Sequence, residues 1–125
     1  MTSASAVAEH YRTLQKYDRE HLVRLDLDNA NRLIGEETVA IGTANMALMS
    51  PREIFMGALL NGAVRIIILH NHPGGNPEPS REDVEVWKRL KDAGEILHVP
   101  LLDFMIIGDH GRYACVDENT LEVRE

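Results

Sequence analysis

The feature that most constrains the fold is a short apolar run that leads directly into a loop. Residues 64–69 (Val-Arg-Ile-Ile-Ile-Leu) place β-branched side chains in close succession, which is typical of a strand buried in the centre of a sheet. Residues 73–79 then hold three prolines and two glycines in seven positions, so regular structure cannot continue through them. The sequence therefore predicts a central strand that ends at a stiff loop.

Periodicity and end signals predict the other elements around this strand. They are, in chain order, a helix over residues 6–18, strands over 21–27 and 32–41, a helix over 51–61, the central strand, a helix over 81–97, and strands over 101–107 and 112–116. The predicted inner faces of the helices are Val7, Tyr11 and Leu14, then Ile54, Ala58 and Leu59, then Val84, Trp87 and Leu90. This order describes an α/β (α+β) fold with a mixed sheet flanked by helices, in one domain at residues 6–117 with terminal extensions at 1–5 and 118–125.

Composition narrows the class of protein. The chain has 125 residues, which suits one domain, and a formal net charge of −7, which disfavours direct binding to nucleic acid. A single cysteine, Cys115, rules out an internal disulfide and fits a reducing cytoplasm, and we expect it to be a small core residue of a strand. The N-terminus does not resemble a signal peptide, and no apolar run is long enough to cross a bilayer. We therefore expect a cytoplasmic protein without a membrane segment.

The end of the central strand and the loop after it bring together residues that suit a metal ion. His70 and His72 are two residues apart, so in an extended chain both imidazoles point to the same side. Asp83 lies in the first turn of the next predicted helix, where its carboxylate can reach the same point. Two neutral imidazoles and one carboxylate suit zinc, with a fourth position left for water, which is typical of a catalytic site.

Each part of this pattern also has a simpler structural explanation. Ser80-x-x-Asp83 matches a capping box, in which both side chains only bind helix N–H groups. A histidine at a strand end is usually structural or exposed, and six histidines in 125 residues will sometimes fall two apart. The combination of histidines on one face of a buried strand, a stiff loop and a carboxylate at a helix start is more specific, and it favours the metal site.

The same residues resemble a known motif. His70-Asn71-His72-Pro73, followed by Ser80 and Asp83, is similar to the JAMM motif of the JAB/MPN metalloproteases. The wider sequence resembles the RadC family, a bacterial branch of that superfamily, over about residues 6–117. The matching segments are Leu25-Asp26 with Asn31-Arg32-Leu33-Ile34, Gly42-Thr43, Pro51-Arg52-Glu53, His70 to Gly75, Pro79-Ser80 with Asp83, and Leu101-Leu102-Asp103.

The resemblance implies a JAB/MPN-like (cytidine-deaminase-like) fold, in which helices flank a curved mixed sheet. It implies Zn²⁺ bound by His70, His72 and Asp83. It also implies a glutamate just before the first strand that acts as a general base, and Glu20 occupies that position. Ser80 is implied as a hydroxyl that stabilises a developing oxyanion.

Some positions leave alternatives open or depart from the family pattern. Glu36 and Glu37, in the second predicted strand, are rivals to Glu20 as the general base. The family usually has a histidine after the Leu-Leu-Asp segment, whereas Phe104 stands here, so this position is not expected to support the metal site through hydrogen bonds. Many RadC sequences also have an N-terminal helix-hairpin-helix module that binds DNA, and we do not recognise that module in this sequence.

The resulting hypothesis is a zinc-dependent metallopeptidase or isopeptidase that cleaves an amide bond of a peptide or protein substrate with activated water. The alternatives are a non-catalytic JAB/MPN binding module and a factor associated with DNA repair. Nucleobase deaminases, another zinc class, need a Pro-Cys-x-x-Cys element that this sequence lacks. The sequence does not reveal the substrate, and it leaves open whether the chain forms a homodimer.

Overall fold

The computed structural model describes residues 3–16, 19–42 and 50–117. Its elements are helices α1 (Ala4–His10), α2 (Pro51–Leu60) and α3 (Arg81–Leu97), a short 3-10 helix (Arg12–Lys16), and strands β1 (Glu20–Leu27), β2 (Leu33–Gly42), β3 (Arg65–Asn71), β4 (Leu101–Ile107) and β5 (Tyr113–Cys115). Within these described ranges, no helix is both long and apolar enough to span a lipid bilayer.

The strands form a mixed five-stranded sheet in the order β2-β1-β3-β4-β5. β1 pairs antiparallel with both β2 and β3, β3 runs parallel to β4, and β5 returns antiparallel to β4. A parallel pair requires a long crossover connection, and α3 with its preceding loop provides that connection between β3 and β4. The predicted α+β fold with a mixed sheet flanked by helices is therefore confirmed, and the C-terminal end of β3 lies in the centre of the sheet.

Helices cover both faces of the sheet, so successive residues of the central strands point into two different cores. The core under α1 is formed mainly by the helical-segment residues Val7, Tyr11 and Leu14 and by the odd-numbered strand residues Val23, Leu25, Leu27, Ile67, Leu69, Met105 and Ile107. The core under α2 and α3 includes the helical residues Ile54, Phe55, Ala58, Trp87 and Leu90 and the even-numbered strand residues Leu22, Ile66, Ile68, Phe104 and Ile106. The same alternation places the next even-numbered residue of β3, His70, on the face that α3 covers.

The predicted first helix is interrupted at Tyr11 in the structure. Tyr11 ends α1, and the chain continues as a 3-10 helix whose first hydrogen bond runs from the Leu14 N–H to the Tyr11 carbonyl. A 3-10 helix repeats every three residues, so the change keeps both Tyr11 and Leu14 buried against the sheet. Residues 17–18 of the predicted helix lie outside the described residues.

Two other details differ from the sequence-based expectations. Leu59 of α2 is 51% exposed, so its predicted inward position is wrong, and Phe55 is buried instead, because α2 turns the face with Phe55 towards α3. β3 extends to Asn71 rather than ending at Leu69, because its pairing with β4 continues through the histidine. Cys115 lies in β5 as predicted, where it is partly buried.

A buried charged network links β1 to β2 and α2. The side chains of Arg24 and Asp26 are 1% and 0% exposed, and they form a two-pronged pair at 2.6 and 3.0 Å. The Arg24 guanidinium also donates to the Glu37 carboxylate and to the Ile54 carbonyl, each at 2.9 Å. The Asn61 amide donates to Asp26 at 2.8 Å. Burial opposes the charge of Arg24, but its hydrogen bonds to Asp26 and Glu37 raise its pKa overall, so the Arg24 guanidinium is charged.

Gly94 of α3 packs directly against the segment that leads into β4. A Cβ atom at this position would lie 2.7 Å from the Val99 carbonyl oxygen and 3.2 Å from the Leu101 nitrogen. Because both neighbours are backbone atoms, we expect Gly94→Ala to lower the free energy of unfolding by about 1–3 kcal/mol, although alanine is the better helix former. Urea denaturation measures this loss. Gly74→Ala is the control, since its Cβ would have no neighbour within 4 Å, and an equal loss there would contradict the packing argument.

Candidate metal centre

His70, His72 and Asp83 converge at the C-terminal end of β3. His70 lies within β3 and is paired with Leu22 of β1. His72 follows the strand, but its backbone N–H still donates to the Ile107 carbonyl of β4 at 3.1 Å, so the chain remains extended here. The two imidazole rings lie 5.3 Å apart and perpendicular to each other. The strand thus presents two imidazoles on the side that α3 covers.

Asp83 connects the two histidines through its two carboxylate oxygens. Oδ1 lies 2.8 Å from Nδ1 of His70, and Oδ2 lies 2.9 Å from Nε2 of His72. The side chains of His70 and Asp83 are each 4% exposed, and that of His72 is 16% exposed. One potential ligand atom from each residue falls within 4.8 Å of the other two. Among the described residues, these three therefore form a group that can hold a metal ion.

The capping box at the start of α3 positions the Asp83 carboxylate. The Ser80 Oγ accepts from the Asp83 N–H at 3.1 Å, and the Asp83 Oδ2 accepts from the Ser80 N–H at 2.7 Å. A carboxylate has about four lone-pair sites, so Asp83 can satisfy the helix start and contact both imidazoles at once. The capping interpretation of Ser80-x-x-Asp83 is therefore confirmed, and the same cap holds the Asp83 carboxylate towards the histidines, in the group that can hold a metal ion.

His72 is held in one tautomer by the loop. Its Nδ1 lies 2.9 Å from the main-chain carbonyl oxygen of Asn76, which can only accept a hydrogen bond, so Nδ1 carries the hydrogen. In the neutral imidazole, Nε2 then has the lone pair that a metal ion requires. In the protonated imidazole, the same nitrogen can donate to Asp83, which it faces. The residue type of Asn76 does not indicate this contact, because its backbone makes it.

His70 has a buried nitrogen that lacks a hydrogen-bond partner among the described residues. This atom is Nε2, and its nearest charged neighbour is the Oε2 of Glu20 at 3.7 Å, which is too long for a hydrogen bond. A buried polar atom without a partner costs about 1–3 kcal/mol, so such atoms are uncommon unless something else binds them. The unpaired nitrogen and the chemistry of the two imidazoles and one carboxylate both fit zinc.

Contacts within this group shift the pKa values of Asp83 and His72. Burial by itself raises the pKa of Asp83, but its hydrogen bonds with His70 and His72 outweigh burial and hold that pKa well below its usual range. Burial lowers the pKa of His72, whereas the hydrogen bond with Asp83 and the Asn76 carbonyl raise it overall. Asp83 is therefore ionised at neutral pH, as a metal ligand must be.

A cleft of about 230 Å³ opens above these residues. Its polar lining is formed by Glu20, His70, His72, Ser80, Glu82 and Asp83, and its apolar lining by Leu22, Val86 and Phe104. Phe104, which stands where the family usually has a histidine, is 1% exposed and belongs to the core under α2 and α3. The cleft is thus a small pocket lined by both polar and apolar side chains.

The three candidate glutamates lie in different surroundings in the structure. Glu20 is the first residue of β1, and its side chain, 29% exposed, lines the cleft beside His70. Glu36 accepts a hydrogen bond from the Tyr11 hydroxyl, on the side of the sheet that α1 covers, and this contact adds to the burial that raises the pKa of Tyr11 to about 12. Glu37 belongs to the buried charged network around Arg24. Of the three, only Glu20 lines the cleft.

Comparison with known proteins identifies the family. A family model described as "RadC-like JAB domain" matches residues 1–121. The chain is 48% identical over 107 residues to a UPF0758 protein of Bacillus mycoides, which covers 86% of this chain and 46% of that relative. It is 44% identical over 114 residues to a UPF0758 protein of Methanococcoides burtonii (91% and 48%), and 46% identical over 97 residues to one of Desulforamulus reducens (78% and 43%).

The central strand of the mixed sheet and the helix after it bring two histidines and an aspartate into one cleft. This arrangement defines a candidate mononuclear metal centre. The chain belongs to the RadC-like JAB domain family. This confirms the resemblance that the sequence motifs indicated. The chain spans slightly less than half the length of these relatives, at 43 to 48% of each.

Proposed function

We propose that this chain is a zinc-dependent hydrolase domain of the JAMM type, a metallopeptidase or isopeptidase that cleaves an amide bond. The observation that supports this proposal is the convergence of His70, His72 and Asp83 on one buried point, with the carboxylate of Glu20 beside it in an open cleft. The expected substrate is a peptide or protein chain. A cytoplasmic location is part of the proposal, and it is supported by the single cysteine, which suits a reducing compartment.

His70, His72 and Asp83 would hold the ion, and hydrogen bonds with neighbouring groups orient the side chains of His72 and Asp83. The ion supplies Lewis acidity, which polarises an amide carbonyl and makes water a better nucleophile at neutral pH. The Asn76 carbonyl fixes the ring of His72, and the capping box fixes the carboxylate of Asp83. Such contacts keep the ligands preorganised, and losing one typically costs about 10- to 100-fold in metal affinity or activity.

Glu20 is proposed as the general base. In this mechanism its carboxylate accepts a proton from water as the water oxygen bonds to the carbonyl carbon, and it then delivers that proton to the leaving nitrogen as the C–N bond breaks. The products are a carboxylate and an amine. The position of Glu20 supports this role, because its Oε2 lies 3.7 Å from the imidazole of His70 and its side chain remains partly open to solvent.

Ser80 is proposed as a hydrogen-bond donor to the substrate carbonyl. Its Oγ accepts a hydrogen bond from the Asp83 N–H, which uses a lone pair and leaves the hydroxyl hydrogen available. Ser80 also lines the cleft. A donor at this place would stabilise the negative charge that develops on the carbonyl oxygen during attack, and a single such donor contributes about 10²–10³-fold in turnover.

Metal analysis tests the centre directly. The purified protein is expected to contain about one zinc per chain, and His72→Ala is expected to lose it, because a catalytic zinc site has three protein ligands and removing one leaves two. Mass spectrometry of the metal content measures both. His10→Ala is the matched control, since His10 lies at the end of α1 on the other face of the sheet and its loss should leave the zinc content unchanged. Wild-type zinc in His72→Ala would refute the assignment.

Cleavage assays test the activity itself. The zinc-loaded chain is incubated with a library of peptides and isopeptide-linked conjugates, and the products are identified by mass spectrometry. New carboxyl and amine ends that disappear on treatment with a chelator would support the proposal. A chain that binds one zinc and cleaves none of these substrates would instead be a non-catalytic binding module.

A further inference from the structure

Asn71 lies between the two histidines, but its side chain points in the opposite direction. It is the last residue of β3 and is 0% exposed, and its odd-numbered position turns it away from the face that His70 occupies. A fully buried amide is uncommon, because both of its polar atoms need partners inside the protein. The partners of Asn71 lie on a different strand.

Both partners of Asn71 are backbone groups on either side of Glu20. The Asn71 Oδ1 accepts a hydrogen bond from the His21 N–H at 2.6 Å, and its Nδ2 donates to the Arg19 carbonyl at 3.0 Å. The carbonyl belongs to the peptide bond that precedes Glu20, and the N–H belongs to the peptide bond that follows it. One side chain therefore holds both peptide groups of Glu20. The orientation of the amide is unambiguous, since a carbonyl only accepts and an N–H only donates.

These two hydrogen bonds connect β1 to β3 beyond the last backbone-paired residues of the two strands. The last paired residues on this side are Leu22 and His70, so Glu20 lies two residues outside the β1–β3 ladder. On its other side, Glu20 pairs with Gly42 of β2, which is an edge strand of the sheet. Asn71 is thus the described contact that joins the backbone around Glu20 to the strand that carries His70.

We propose that Asn71 is a positioning residue that holds Glu20 at the metal site. The inference rests on the proposed function of Glu20 as general base, and it adds the means by which that base is kept in place. The geometry supports it, because the residue between the two histidines is bonded to the backbone of the glutamate. A base displaced by about 1 Å can lose about 10²-fold in rate, so holding the backbone on both sides of Glu20 matters for turnover.

The test uses the full zinc-loaded chain with Asn71→Ser, which shortens the side chain and removes the bond to the Arg19 carbonyl. Three results are expected. The His21 amide should exchange its hydrogen at least about tenfold faster, by NMR, because its acceptor has moved away. The zinc content should remain at about one per chain, since the three ligands are untouched. The turnover number for a peptide that the library assay identifies should fall about 10- to 100-fold, with little change in KM.

A double-mutant cycle separates positioning from general destabilisation. If Asn71 acts through Glu20, Asn71→Ser should have little further effect on turnover when Glu20 is already glutamine. Asn61→Ser is the matched control, because it removes one hydrogen bond from a different point of β1, at Asp26, and should leave both His21 exchange and turnover unchanged. Should Asn71→Ser fail to fold, Asn71→Asp is the second variant. It keeps the shape and the acceptor for the His21 N–H but places a carboxylate oxygen against the Arg19 carbonyl. It should lower turnover while the His21 amide remains protected from hydrogen exchange.

Several outcomes would overturn the inference. Unchanged exchange at His21 in Asn71→Ser would show that the amide does not hold this segment. Loss of zinc would mean that Asn71 supports the metal ligands rather than Glu20, and an equal loss of turnover with or without Glu20 would mean that it acts elsewhere. If no peptide is cleaved by the wild type, the proposed function fails, while the exchange and zinc measurements still decide whether Asn71 holds the backbone of Glu20.

Discussion

Replacing Glu20 with glutamine is expected to lower turnover by about 10²–10⁴-fold while the zinc content stays at about one per chain. Glutamine has nearly the same shape as glutamate, but its amide cannot accept and return a proton at neutral pH. The metal ligands should be unaffected, because Glu20 lies 3.7 Å from the His70 imidazole and makes no hydrogen bond with it. Turnover is measured with a peptide from the library assay, and zinc by mass spectrometry of the same preparation.

Glu36→Gln is the matched control for this experiment. Glu36 was a rival candidate from the sequence, and its carboxylate contacts the Tyr11 hydroxyl on the other side of the sheet. We expect this variant to retain the turnover of the wild type within about twofold, because single surface substitutions away from a site usually have small effects. A full loss of turnover in Glu36→Gln, together with wild-type turnover in Glu20→Gln, would reverse the assignment of the base.

The largest expected effect on stability comes from the buried network on β1. Arg24→Met should lower the free energy of unfolding by about 3–5 kcal/mol, because it leaves the carboxylate of Asp26 buried with only the Asn61 amide as a described side-chain partner. Methionine fills a similar volume, so the loss comes from the unpaired charge rather than from a cavity. Urea denaturation followed by circular dichroism measures the change.

The double variant Arg24→Met, Asp26→Leu tests that explanation. Removing both charges from a buried pair is often neutral or stabilising, because neither charge then has to be kept out of water. We therefore expect the double variant to recover most of the stability that Arg24→Met loses. A double variant that is as unstable as the sum of two single losses would show that packing around Arg24, and not the unpaired carboxylate, determines the effect.

The sequence predicted the helices and strands well where local signals are strong. α3 and β4 have the predicted bounds, because a capping residue, a clear apolar period and turn residues mark their ends. The first helix was less predictable, because its break at Tyr11 keeps Tyr11 and Leu14 packed against the sheet. The strands of that sheet come later in the chain, so the sequence of the helix does not indicate the break. Leu59 was misplaced for a similar reason, because the rotation of α2 is set by its packing on α3.

The sequence likewise predicted some features of the candidate site and not others. The residue types and spacing of His70, His72 and Asp83 predicted a metal centre, because a strand with a period of two and a helix start are local features. The spacing did not distinguish a cap from a ligand at Asp83, and in the structure its carboxylate both accepts from the Ser80 N–H and lies against His72. The sequence also left Glu36 and Glu37 as rivals to Glu20, and of these three only Glu20 lines the cleft.

By itself, the sequence determined the order of the elements, the central strand and the chemical types that meet at its end, since these depend on neighbours a few residues apart. Only the tertiary structure decided which side chains are buried by the helices and which residues contact each other between strands. Arg24 and Asp26 alternate with apolar residues, a pattern that usually indicates a solvent-facing side, yet helices on both faces bury them. Asn71 bonds to the backbone around Glu20, 50 and 52 residues away in sequence, because strand pairing rather than proximity along the chain brings them together.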